Sequence, residues 1–120
     1  MTLFNGIDHV QLAAPPGSEE KARHFFHTIL GMPEIQKPDD LASRGGVWFD
    51  CGGLEVHIGV EEPFSPALKA HPALRVHSLE LARERLQEFN WPVKPEQPLN
   101  GAARFYTEDP FGNRIELIER

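Results

Sequence analysis

Cysteine is almost missing from this chain: Cys51 is the one thiol in 120 residues. A single thiol excludes an internal disulfide framework and a zinc cluster built on cysteines, and it fits a reducing cytosol. No apolar run is long enough to cross a bilayer. The 12 lysines and arginines are outnumbered by 18 acids and form no basic stripe, so nucleic acid is not an expected partner. The opening Met1-Thr2-Leu3-Phe4-Asn5-Gly6 lacks a cationic segment followed by an apolar one, so no secretion signal is read there. Phosphate-binding glycine loops, dinucleotide fingerprints and nucleophile elbows are also missing. A cytoplasmic protein with one globular domain over 1–120 is the expectation. Its 40% hydrophobic content is enough to bury a core without staples.

What the chain does have is a repeat. Ile7 to Ala13 reads as a strand, stopped by Pro15-Pro16-Gly17. Ser18 reads as an N-cap for a helix with Ala22, Phe25, Phe26, Ile29 and Leu30 on one face and Gly31 as its stop. A short strand near Glu34-Ile35-Gln36, a loop over 37–46, and strands Val47–Asp50 and Leu54–Val60 joined at Gly52-Gly53 complete the unit. After a linker the same order returns. His71–Val76 is a strand, and Ser78 caps a helix carrying Leu79, Ala82, Leu86 and Phe89. Pro92-Val93-Lys94 reads as a short strand, and Ala103–Thr107 and Arg114–Glu119 flank a turn at Asp109–Gly112. The expected fold is α+β: two βαβββ modules, over 5–60 and 70–120 with a linker at 61–69, forming a half-barrel cleft.

Strand parity sorts the side chains. If Val56, Ile58, Ile115, Leu117, Val10, Leu12, Leu74 and Val76 face the helices, then His9, Gln11, Glu55, His57, His71, Arg114 and Glu116 face the cleft. Four of these bind divalent metals, and they occupy matching strands of the two modules. His9 and His57 belong to the first, His71 and Glu116 to the second. Three imidazoles and a carboxylate, with no thiolate, suit one divalent ion of the zinc, nickel, cobalt, manganese or iron(II) kind. His9, His71 and Glu116 alone would form a two-histidine, one-carboxylate triad, with His57 as a fourth ligand or a base beside the metal. Trp48, Arg104 and Tyr106 lie on strands bordering the cleft and suit an anionic or planar substrate. Glu55 shares the face of His57 and could serve as a general base. Cys51 has no evident base beside it and reads as inert. His24, His27 and His77 read as ordinary helix or surface histidines.

Three segments carry a family resemblance over essentially the whole chain: Ile7-Asp8-His9-Val10, the helix ending Phe25-Phe26-His27-Thr28-Ile29-Leu30-Gly31-Met32, and Asp109-Pro110-Phe111-Gly112-Asn113-Arg114-Ile115-Glu116-Leu117. They resemble the vicinal oxygen chelate superfamily, the glyoxalase/bleomycin resistance/extradiol dioxygenase group. The resemblance implies metal ligands at His9, His57, His71 and Glu116, a homodimer, and a small oxygen-bearing substrate. It also implies lyase, isomerase or epimerase chemistry through a metal-stabilised enediolate or oxyanion. Glu116 and His57 would then act in catalysis and Arg104 would orient the substrate. Glyoxalase I and the epimerases often have glutamate or glutamine where this chain has His57. Two other readings stay open: a non-catalytic drug-binding protein of the bleomycin-resistance type, and an iron(II) dioxygenase of the extradiol type.

Overall fold

The computed structural model describes residues 2–120. The chain runs β1 (His9–Ala14), α1 (Glu19–Ala22), a π-helical continuation Arg23–Ile29, β2 (Glu34–Ile35), α2 (Asp39–Ala42), β3 (Val47–Cys51) and β4 (Leu54–Val60). It then repeats as β5 (Ala73–Val76), α3 (Leu79–Glu88), β6 (Lys94–Leu99), β7 (Ala102–Glu108) and β8 (Arg114–Glu119). Each module makes a four-stranded mixed sheet, ordered β1-β4-β3-β2 and β5-β8-β7-β6. The helical crossover brings β1 parallel to β4 and β5 parallel to β8; the other pairs are antiparallel. This is the α+β architecture of paired βαβββ units, and it forms no closed barrel. β1 and β5 each hydrogen-bond to one neighbour and end their sheets as open edges.

The expected apolar positions form one core. Val56, Ile58, Leu74, Ile115 and Leu117 are buried under the helices with Phe25, Phe26, Ile29 and Leu86. Phe25 meets Phe26 edge-on at 4.9 Å and tilts against Trp91 at 5.3 Å, which ties the first helix to the second module. Each fully buried Phe contributes about 2–3 kcal/mol through the water it sheds. Polar staples cross the same seam. Arg85 Nε donates to the Ile29 carbonyl at 2.9 Å, and Asn113 Nδ2 donates to the Ala13 carbonyl at 2.9 Å. The β3–β4 turn needs positive φ at both Gly52 and Gly53 (59° and 106°), which glycine adopts without strain.

Several local expectations are corrected. Ser18 makes no cap; its hydroxyl is buried without a partner. Ser78 does cap, accepting from Leu81 N at 3.1 Å. The first helix widens after Ala22 into a π-helix, with Leu30 N donating to the Phe25 carbonyl at 3.0 Å. The 37–46 loop contains the turn of helix α2, led by Asp39 and Asp40. β6 extends through Leu99, although Pro95 and Pro98 argue against a strand; as the last strand of its sheet it tolerates them. His71 lies just before β5 rather than in it.

Candidate functional site

Each sheet presents half of a potential site on the face turned away from its helix. On the first sheet, β4 lies between β1 and β3, so its register sets Gln11 and Trp48 on either side of His57, and His9 opposite Glu55. Trp48 and His57 stack at 3.8 Å and 1° between planes, and His9 stacks on His57 at 4.2 Å and 15°. His57 is 5% exposed inside this three-ring pile. The partners of the two imidazoles accept hydrogen bonds only, so they fix the tautomers. His9 Nδ1 donates to Asp8 Oδ1 at 2.7 Å, leaving Nε2 with its lone pair. His57 Nε2 donates to Glu55 Oε1 at 2.9 Å, leaving Nδ1.

The second sheet is built around Glu116, which pairs in register with Ala73 on β5 and Tyr106 on β7. His71 Nδ1 donates to the Lys69 carbonyl at 2.8 Å, and its Nε2 lies 2.9 Å from Glu116 Oε1. The edge of His71 packs on Tyr106 at 5.2 Å. Arg104 Nη1 donates to the Tyr106 hydroxyl at 3.1 Å and sits 3.4 Å from Glu116 Oε1. Burial works against the Arg104 charge. The Tyr106 hydrogen bond and the charges of Tyr106 and Glu116 outweigh it and hold the guanidinium above its ordinary pKa. Glu116 is 3% exposed, and its Oε2 is buried with no hydrogen-bond partner among the described residues.

The candidate ligands thus meet in two pairs, His9 with His57 and His71 with Glu116. Among the described residues no three His, Cys, Asp or Glu side chains converge where one ion would bind them all. The donor chemistry itself fits a divalent cation. Glu116 offers an unsatisfied buried oxygen, His9 has Nδ1 bonded to an acceptor and Nε2 without a partner among the described residues, and His71 has Nδ1 bonded to an acceptor and Nε2 turned to Glu116 Oε1. An imidazole lone pair lies in the ring plane. Stacked at 15°, His9 and His57 cannot both aim theirs at a common ion, so in this arrangement one of them is a ligand at most.

Trp48 stacks on His57, and Tyr106 packs on His71 and accepts from Arg104. Phe105 is a core residue with no exposure. Cys51 is half-buried; burial, and to a lesser degree the charge of Asp50, pushes its thiol pKa up, as suits an inert residue. The sequence reading missed one side chain and set another, Arg114, on the cleft face without giving it a role. Asp8 holds the His9 tautomer, and its adjacency to His9 was the available signal. Arg114 lies over the Tyr106 ring, its guanidinium carbon 4.7 Å from the centroid. Asn113 is structural: it donates to Asp109 Oδ2 at 2.8 Å and accepts from Ala67 N at 2.9 Å, locking the Asp109–Gly112 turn to the linker.

Comparison with known proteins matches residues 6–117 to the model of the Glyoxalase/Bleomycin resistance protein/Dioxygenase superfamily. No curated protein matches. Among solved structures, a glyoxalase family protein from Bacillus anthracis is 48% identical, with a TM-score of 0.96 over 100% of this chain and 98% of that one. A lactoylglutathione lyase from Agrobacterium tumefaciens has a TM-score of 0.77 at 18% identity, over 98% of this chain and 96% of that one. A fosfomycin resistance protein from Listeria monocytogenes has a TM-score of 0.77 at 20% identity, over 98% and 95%. The last two are similar in fold.

Proposed function

The chain belongs to the Glyoxalase/Bleomycin resistance protein/Dioxygenase superfamily, and from that membership and the cleft geometry we propose that it is a divalent-metal enzyme acting on a small molecule with adjacent oxygens. His9, His71 and Glu116 hold the ion, and His57 flanks it. The site is completed between two copies: His9 of one chain faces His71 and Glu116 of the other. The open edges of β1 and β5, and the failure of the two ligand pairs to converge within one chain, support this pairing.

The observation that carries the metal reading is Glu116. Its Oε2 is buried and unsatisfied, at a cost of about 1–3 kcal/mol or more for a charged group, unless a cation fills the gap. When bound, such an ion polarises adjacent substrate oxygens and favours negative charge developing on them. His57, with its Nε2 proton on Glu55, presents Nδ1 as a proton acceptor beside that position. Arg104, braced by Tyr106, orients the substrate. Lyase, isomerase or epimerase chemistry is the class proposed, and fold kinship with a lactoylglutathione lyase favours it by analogy. Elemental mass spectrometry of untagged protein tests the metal reading. Wild type should carry or take up about one ion per chain, and Glu116→Ala should retain none. A wild type that binds no zinc, nickel, cobalt, manganese or iron(II) would refute it.

A further inference from the structure

The two halves of the cleft carry different charged residues. On the first sheet the cleft face carries Glu55 and Asp50 in register with each other, and no lysine or arginine. On the second, Arg75, Arg104 and Arg114 come from three different strands: Arg75 and Arg104 lie opposite Ile118, and Arg114 opposite Glu108. Three of the chain's eight arginines thus share one sheet face, along with Lys94 and the acids Glu96, Glu108 and Glu116. Arg104 and Arg114 flank the same ring, with guanidinium carbons 5.5 and 4.7 Å from the Tyr106 centroid. Tyr106 is itself the register partner of Glu116.

Neither guanidinium is fully used. Arg104 spends Nε on the Gln97 carbonyl at 2.9 Å and Nη1 on Tyr106 and Glu116, while Nη2 has no partner among the described residues. Arg114 is half-buried and has no side-chain hydrogen bond or ion pair among the described residues, even with Glu108 opposite. Neutralising Glu116 would account for Arg104 but not for Arg114. A partly desolvated guanidinium without an anion is unfavourable, and a planar donor fork suits the two oxygens of an oxyanion.

We propose that the substrate carries an oxyanion group, a carboxylate, phosphonate or phosphate, beside its adjacent oxygens, and that Arg104 and Arg114 together hold it. This deepens, and rests on, the metal-enzyme reading above. A divalent ion on Glu116 would occupy the one carboxylate that faces Arg104, leaving its guanidinium, with that of Arg114, to an anionic group of the substrate.

Calorimetric titration of zinc-loaded protein tests this with three probes that share vicinal oxygens: catechol, its carboxylate protocatechuate, and the corresponding phosphonate. Wild type should bind the anionic probes about tenfold or more tightly than catechol. Arg104→Gln and Arg114→Gln should each erase most of that preference, whereas Arg114→Lys, which keeps the charge, should retain part of it. The carboxylate and phosphonate arms show which oxyanion the pair prefers. Equal binding of catechol and both anions by wild type overturns the proposal, as does an unchanged preference in both glutamine variants. Zinc content is measured in every sample, which separates the two readings. If wild type takes up none of zinc, nickel, cobalt, manganese and iron(II), the metal reading fails; the same preference in the metal-free protein then supports the arginine pair, and equal binding overturns it.

Discussion

His71 Nε2 lies 2.9 Å from Glu116 Oε1 while its Nδ1 lies 2.8 Å from the Lys69 carbonyl. With Glu116 ionised both partners are acceptors, so a neutral ring leaves one of them without a donor. With the unsatisfied Glu116 Oε2 alongside, this pair is built for positive charge between its members.

The stacked rings separate His9 from His57 in role. His9→Ala should abolish ion retention. His57→Ala should weaken it only about tenfold, the scale of removing a neighbour that orients a ligand. Competition with a chelator of known affinity reads both. Equal loss in the two variants would make His57 a ligand and require the stack to open.

Asn113 bridges the modules and the linker through Ala13, Ala67 and Asp109. Asn113→Ala leaves buried partners unpaired and should destabilise the fold by about 2–4 kcal/mol. Denaturant unfolding measures it, and a change within about 0.5 kcal/mol, the usual range for surface substitutions, would deny the bridge a structural role.

Burial raises the Cys51 pKa, so its thiolate fraction at neutral pH falls below that of a free thiol. Iodoacetamide should label the native protein more slowly than the unfolded chain at pH 7, and the native rate should climb only at more alkaline pH. Labelling as fast as in the unfolded chain would contradict this.

Much of this was legible in the sequence because two-residue periodicity is a rigid constraint. Val56 and Ile58 fix where His57 points, and Ile115 and Leu117 fix Glu116. Tertiary partners were less legible. Ser18 looks like a cap, but its segment turns helical too early for the hydroxyl to reach a donor. The π-helical widening at Arg23–Ile29 leaves no mark in the spacing of Phe25, Phe26 and Ile29. Parity set four candidate ligands on one kind of face but carried nothing about which sheet faces meet, since strand periodicity holds no information on how separate sheets pack.

The central claim is a metal site shared between two copies, and complementation tests it most directly. Chains carrying His9→Ala and Glu116→Ala are co-expressed with different tags, the mixed dimers are isolated, and their ion content is measured after tag removal. Each variant alone should hold essentially no ion. The mixed dimer pairs one intact first half with one intact second half and should hold about one ion per dimer. A mixed dimer as empty as its parents would contradict the shared site.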